Sequence, residues 1–69
     1  WQSALLNYKK NNDILSQGVV LNYIALAYRN QGQYQKALKH LQEALELFKQ
    51  ISARGSIGTT QNNIGFVYN

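Results

Sequence analysis

The chain has 69 residues, which suffices for one small domain and leaves only a small hydrophobic core. Seven Lys and Arg against three Asp and Glu give a net charge of +4, yet only 14% of the residues are charged. Eight Asn and eight Gln supply most of the polarity, which suits contacts to peptide backbones better than long-range attraction of phosphate. Because the chain has no Cys, a disulfide framework and a thiolate metal site are excluded.

No membrane segment or signal peptide is visible in the sequence. The most apolar stretch covers residues 18–28 and contains Asn22, whereas a transmembrane helix needs about 20 apolar residues. We therefore expect a soluble, cytoplasmic protein. Since the chain starts at Trp1 and ends at Asn69 in the middle of a pattern, we also expect it to be part of a longer protein.

The absence of Pro and the abundance of helix formers predict an all-α chain with short breaks. The polar run 10–13 is predicted to end a first helix. Gly32 is suited to the left-handed residue that closes the second helix, and Gly55 is predicted to stop the third, with Ser56 capping the fourth. The four predicted helices cover residues 1–11, 14–31, 34–52 and 57–69.

Apolar residues of the third helix recur at spacings of three and four and form one stripe. The second helix has a predicted inward stripe and, on its opposite side, a mixture of apolar and amide residues. The fourth helix shows the same mixture. The third-helix stripe consists of Tyr34, Ala37, Leu38, Leu41, Ala44, Leu45 and Phe48. The predicted stripe of the second helix consists of Val20, Leu21, Ile24, Ala27 and Tyr28.

The sequence repeats at a spacing of 40 residues, with nine identities over the 29 positions that overlap. A repeat of this length on helical patterning is typical of a stack of similar units. Such stacks present extended surfaces to other molecules. The identical positions are 2, 4, 5, 9, 16, 18, 22, 24 and 28, each paired with the residue 40 positions later.

The unit from about 18 to 57 resembles a tetratricopeptide repeat. The resemblance is carried by Ile24-Ala25-x-x-Tyr28, Gly32-x-Tyr34-x-x-Ala37, Leu41-x-x-Ala44-Leu45 and Asn63-Ile64-Gly65-x-x-Tyr68. Small residues at 25, 37, 44 and 65 are expected to let the helix axes approach closely. The spacing of 40 residues and the lack of Pro depart from the common 34-residue form and are similar to a longer-spaced variant.

The resemblance implies a right-handed stack of antiparallel helix hairpins, which is a four-helix fragment of an α-solenoid. Residues 1–12, including Trp1, Ala4 and Leu5, would be the second helix of a preceding repeat. Residues 14–53 would form a full repeat, and residues 56–69 the first helix of a following one.

The resemblance also implies a concave groove, lined by the first helix of each pair, that binds an extended peptide or a helix. The expected module is a non-catalytic scaffold without cofactors or metals. Carried over by position, its peptide-binding residues are Val19, Asn22, Tyr23, Leu26, Arg29, Asn30, Asn62, Asn63 and Phe66, with Thr59 and Asn69 beside them.

Other interpretations stay open at this point. Leu26 and Phe66 could instead pack on neighbouring helices, and the Asn residues could form hydrogen bonds between helices. Exposed terminal helices favour self-association into an oligomer or spacer, as the second hypothesis. RNA binding through Lys36, Lys39 and Lys49 is the third hypothesis. It ranks last because helical repeats that bind RNA read bases from their concave positions, where this chain has only one Arg. A single His40 without a second ligand does not indicate catalysis or metal binding.

Overall fold

A computed structural model of the chain describes the backbone of residues 2–68 and the side chains of residues 10–68. Predictions that concern Trp1 and Asn69, and the side chains of Ala4 and Leu5, fall outside these described residues. The described backbone is all α-helical with two short turns. The helices are α1 (Gln2–Asn30), α2 (Tyr34–Gln50) and α3 (Arg54–Tyr68).

The predicted division into four helices is wrong over the described residues, because α1 runs without interruption through the polar run 10–13. Residues 2–17 contain neither Gly nor Pro, and Asn and Asp cost at most about 0.7 kcal/mol each within a helix. Their polar side chains alone therefore do not stop a helix that has already formed. The proposed division into repeat units stays a prediction.

Gly32 closes α1, as predicted. Its φ of 79° lies in the left-handed region that glycine adopts without strain. The amide of Gly32 donates to the carbonyl of Arg29 at 2.9 Å, and the amide of Gln33 donates to the carbonyl of Tyr28 at 2.9 Å. These two bonds form a Schellman motif, which satisfies carbonyls at the end of the helix.

The second turn does not use Gly55 and Ser56, contrary to the prediction. Ser52 takes the left-handed position with a φ of 54°, and the amides of Ser52 and Ala53 donate to the carbonyls of Lys49 and Phe48. This is the same Schellman pattern as in the first turn. Because α2 ends at Gln50 and α3 begins at Arg54, Gly55 lies inside the first turn of α3.

The core lies where α2 packs against both α1 and α3. Leu41 and Phe48 of α2 are fully buried. The buried residues Ala25, Ala37 and Ala44 are small enough to let the helices approach closely. The stripe predicted for α2 is confirmed except at Tyr34, which is 53% exposed. The buried core residues are Ala25, Ala37, Leu41, Ala44, Phe48, Thr60 and Val67.

At Gly18 the backbone of α1 lies directly against the Phe48 ring of α2. A Cβ atom built on Gly18 would lie 2.5 Å from both Cε1 and Cζ of Phe48. One repeat later, at Gly58, no described atom lies within 4 Å of the corresponding position, and the same is true of Gly65. Tight packing at a small residue therefore holds at positions 25, 37 and 44, and the prediction of it at 65 is wrong.

The inward stripe predicted for the second helix is also wrong in part. Val20 is 54% exposed, Ile24 is 37% exposed, and Ala27 is exposed. The face of α1 that contacts the core is instead centred on Gly18 and Ala25, both of which are buried. Gly18 lies against Phe48 and Ala25 packs with Ala37 and Leu41, so Val20 and Ala27 lie on the opposite side of α1.

Candidate functional site

A cleft of about 280 Å³ separates α1 from α3. Its floor is the ring of Phe48, which belongs to α2, and its walls come from the facing sides of the two outer helices. Both apolar and uncharged polar side chains line it. The lining residues are Val19, Asn22, Tyr23, Leu26, Phe48, Ser56, Thr59 and Asn63.

The α1 wall of the cleft is mostly apolar. Tyr23 is 70% exposed and Val19 is 39% exposed, while Leu26 is half-buried. Residues 19, 23 and 26 are spaced by four and three, so they lie on one side of the helix. This wall offers apolar contact area at its rim, where a bound chain could bury it.

Asn22 connects the two walls. Its Nδ2 donates to Thr60 Oγ1 at 3.1 Å, and the Thr60 hydroxyl donates to the carbonyl of Ser56 at 2.8 Å. Thr60 is fully buried, so this chain of hydrogen bonds satisfies a polar group in the core. The bond to Thr60 uses one of the two N–H donors of Asn22. The other N–H group, and acceptor sites on Oδ1, are left for a molecule bound in the cleft.

Asn63 offers the second amide of the cleft, from the α3 wall. It is half-buried, and within residues 10–68 its side chain has no hydrogen-bond partner. Thr59 beside it donates to the carbonyl of Gly55 at 3.1 Å. Two amide groups therefore face the same space from opposite walls, and each can both donate and accept.

Arg29 and Phe66 are brought together beside the cleft and do not line it. The Arg29 guanidinium lies 5.7 Å from the centre of the Phe66 ring, and Nε donates to the carbonyl of Phe66 at 3.4 Å. A cation over an aromatic face is a weak attraction, worth about 0.5–1 kcal/mol at an exposed site. This contact joins the C-terminal ends of α1 and α3.

The structure therefore divides the predicted site residues into two groups. One group lines the cleft: Val19, Asn22, Tyr23, Leu26 and Asn63, together with Thr59. The other group lies outside it: Arg29 and Phe66 in their mutual contact, and Asn30 and Asn62 on the exposed surface.

Three residues of this region were missed as parts of the site. Phe48 was assigned only to the core, and Ser56 only to a helix cap. Thr60 was not considered. The sequence does distinguish position 60, because it holds the polar Thr60 where the preceding repeat has the apolar Val20.

His40 and the nearby lysines belong to the outer side of α2. The Nδ1 atom of His40 donates to the carbonyl of Lys36 at 2.8 Å, and its ring lies 5.1 Å from the ring of Tyr28. The ammonium group of Lys36 lies 5.6 Å from the centre of the same Tyr28 ring. In the described part of the chain, no three His, Cys, Asp or Glu side chains are grouped as metal ligands.

Comparison with known families identifies the architecture. A family model described as tetratricopeptide repeat matches residues 16–69. The chain belongs to the tetratricopeptide repeat family. The match begins just before Gly18 and includes both walls and the floor of the cleft.

No curated protein and no solved structure gives a significant match to the chain. Tetratricopeptide repeats are in general protein-interaction modules and in general have no catalytic activity. None of the described helices is long and apolar enough to cross a membrane.

Proposed function

We propose that this tetratricopeptide repeat segment captures an extended peptide in the cleft between α1 and α3. The observation that carries the proposal is the pairing of an apolar rim with two amide groups on opposite walls, at Asn22 and Asn63. Apolar residues provide the contact area in such a site, and amides fix the position of a peptide backbone.

The charge of the site narrows the class of peptide. The described residues of the cleft carry no charged side chain, while the chain as a whole has a charge of +4 and only three acidic residues. A neutral or acidic peptide is therefore favoured over a basic one, because long-range attraction increases the rate of encounter. A C-terminal carboxylate has no Lys or Arg to bind within the cleft.

The size of the cleft sets the expected affinity. A volume of about 280 Å³ accommodates a few side chains and a short length of backbone, and it lies just below the usual range of ligand pockets, about 300–1,000 Å³. We expect a dissociation constant in the micromolar range. A value of about 1 μM corresponds to a binding free energy of about −8 kcal/mol.

The test is a selection of random 12-residue peptides displayed on phage against the immobilised chain, followed by calorimetry with the best peptide. The variants Tyr23→Ser and Leu26→Ser are expected to weaken binding at least tenfold, which corresponds to about 1.4 kcal/mol. Tyr34→Ser is the matched control, because Tyr34 is also an exposed tyrosine, at 53% against 70% for Tyr23, but lies outside the cleft. Unchanged affinity in both cleft variants would contradict the proposal.

Self-association is the second candidate, and the exposure of apolar residues on α1 favours it. Val20, Ile24 and Ala27 lie on the side of α1 that faces away from Gly18 and the core. Monomeric proteins seldom leave such residues grouped at the surface without a partner. RNA binding through Lys36, Lys39 and Lys49 has no comparable observation in its favour.

A further inference from the structure

Thr60 is a fully buried polar residue between the two walls of the cleft. It is not among the residues that line the cleft. A buried hydroxyl needs hydrogen-bond partners to offset the loss of its contacts to water. Thr60 has partners on both sides, because it contacts the carbonyl of Ser56 in its own helix and the side chain of Asn22 across the cleft.

The side-chain amide of Asn22 meets the Thr60 hydroxyl with both of its polar atoms. Nδ2 lies 3.1 Å from Thr60 Oγ1, and Oδ1 lies 3.4 Å from the same atom. Rotating the amide by half a turn would exchange nitrogen and oxygen with almost no change in shape. Hydrogen bonding therefore decides which atom of Asn22 is directed toward Thr60, and packing does not.

The single hydrogen of the Thr60 hydroxyl decides between the two orientations. Its contact to the Ser56 carbonyl, at 2.8 Å, is shorter than its contact to Asn22 Oδ1, at 3.4 Å. The usual length of an O–H···O bond is about 2.7–2.8 Å, so the hydrogen lies toward Ser56. Thr60 Oγ1 is then left to accept from Asn22 Nδ2. This orientation makes two hydrogen bonds, whereas the rotated amide would make only one.

Thr59 shows the bond that a threonine of α3 makes without an amide partner. Its hydroxyl donates to the carbonyl of Gly55 at 3.1 Å, which is the same bond to the residue four positions earlier that Thr60 makes to Ser56. Within residues 10–68, no Asn side chain is bonded to Thr59. The bond to the helix carbonyl therefore does not depend on Asn22, and acceptance from Asn22 is the additional feature of Thr60.

We propose that Thr60 is a positioning residue for peptide capture: it fixes the amide of Asn22 so that Oδ1 accepts a backbone N–H of the bound peptide. This inference rests on the proposed function and deepens it, because it gives the hydrogen bond at the α1 wall a direction. Asn22 is half-buried and lines the cleft. Its Oδ1 keeps its acceptor capacity, since the hydrogen of Thr60 is directed to Ser56.

The two amides of the cleft then differ in what they can recognise. Asn63 has no side-chain hydrogen-bond partner within residues 10–68, so its amide rotates to meet either a donor or an acceptor. Asn22 is held, so a group of the wrong polarity leaves a half-buried polar atom without a partner. The cleft selects a peptide by its backbone at this position, and proline, which has no backbone N–H, is rejected there.

Replacing single backbone amides of the peptide by esters tests the direction of the bond. An ester has an oxygen in place of the N–H group and otherwise preserves the course of the chain. The probe is the best peptide from the phage selection, made with one ester at each position in turn and titrated by calorimetry. We expect one position at which the ester weakens binding about fivefold to tenfold, since one net hydrogen bond corresponds to about 2–13-fold in affinity.

Thr60→Val removes the hydroxyl and keeps the shape, so it frees the Asn22 amide to rotate. At the sensitive position the penalty for the ester should then fall below about twofold, because Nδ2 can face the ester oxygen. Thr60→Ser keeps the hydroxyl and should keep the full ester penalty, although it lowers stability through the loss of a buried methyl group. A purely structural role would weaken the binding of both peptides equally in Thr60→Val, and an unchanged ester penalty there would overturn the proposal.

Hydrogen exchange in the free chain measures the hold on Asn22 without any peptide. The Nδ2 hydrogens of Asn22 should exchange with water at least about fivefold more slowly than those of Asn62, which is the same residue one repeat later and is exposed. This protection should be lost in Thr60→Val and retained in Thr60→Ser. Equal exchange at Asn22 and Asn62 would overturn the positioning role and leave the peptide cleft standing.

Failure of the proposed function gives a different pattern. Unchanged affinity in both Tyr23→Ser and Leu26→Ser would overturn peptide capture in the cleft, and the role of Thr60 in it as well. Slow exchange at Asn22 in the free chain would persist in that case, because the bond to Thr60 lies within the chain. The two failures are therefore distinguished by the exchange measurement.

Discussion

Replacing Gly18 by Ala is expected to destabilise the chain, although Ala is the better helix former. The new Cβ would lie 2.5 Å from Cε1 and Cζ of Phe48 and 3.1 Å from Cδ1. Phe48 is fully buried and borders empty space only at the cleft, so its ring can relieve the contact only by shifting toward the cleft. Overpacking of this kind costs about 1–3 kcal/mol, and the helix preference of Ala returns about 0.5–1 kcal/mol. The expected net loss is about 0–2.5 kcal/mol.

Gly58→Ala is the matched control, since Gly58 is the same residue type one repeat later in a helix. No described atom lies within 4 Å of its Cβ position, so only the helix preference remains. We expect this variant to gain about 0.5–1 kcal/mol. The two substitutions make the same chemical change, and their predicted effects on the free energy of unfolding have opposite signs.

The assay is urea unfolding followed by far-ultraviolet circular dichroism, with all variants at one protein concentration because association changes apparent stability. Adding Phe48→Leu to Gly18→Ala removes the end of the ring, so the double variant should be more stable than the sum of the single effects predicts. If Gly18→Ala proved as stable as Gly58→Ala, the close contact between α1 and Phe48 would not exist as described.

Two further substitutions test the second turn and the buried hydrogen bonds. Ser52→Gly should raise stability by about 0.5–1 kcal/mol in thermal unfolding, because Ser52 has a φ of 54° and glycine adopts this conformation without strain; a lower melting temperature would contradict this. Thr60→Val should lower the free energy of unfolding by about 0.5–1.5 kcal/mol in urea, because the bond to Asn22 is lost. Thr60→Val combined with Asn22→Leu should leave the free energy of unfolding nearly unchanged. Equal losses in the single and the double variant would argue against the bond.

The all-α fold and the buried stripe of α2 could be predicted from sequence because α2 is regular. Ala37, Leu41 and Ala44 are spaced by four and three, and all are fully buried. Gly32 was recognised as a helix end for a physical reason, since few other residues adopt its positive φ. These features depend on local preference and on periodicity.

Features that depend on contacts between helices could not be predicted in the same way. Ser52 adopts a conformation that its own preference disfavours, because the packing of α2 on α3 requires the turn there. The orientation of α1 follows from Gly18 and Phe48, whose contact is visible only in three dimensions. An inward stripe inferred from the size of Val20 and Ile24 therefore chose the wrong face.

The candidate site was predicted in part. The α1 residues Val19, Tyr23 and Leu26 lie together because helical spacing alone places them on one side. Leu26 and Phe66 are one repeat apart and were both placed in the groove, yet Phe66 lies outside the cleft and contacts Arg29. Equivalence between repeats gives the position along the helix, but the partner depends on which neighbouring helix is present.

The most direct test of the peptide cleft is a nuclear magnetic resonance titration of the isotope-labelled chain with the best selected peptide. The account predicts the largest shifts at the side-chain amide of Asn63 and the backbone amides of Tyr23 and Leu26, with little change at Val20 and Ile24. Shifts concentrated at Val20 and Ile24, with Asn63 unchanged, would contradict it.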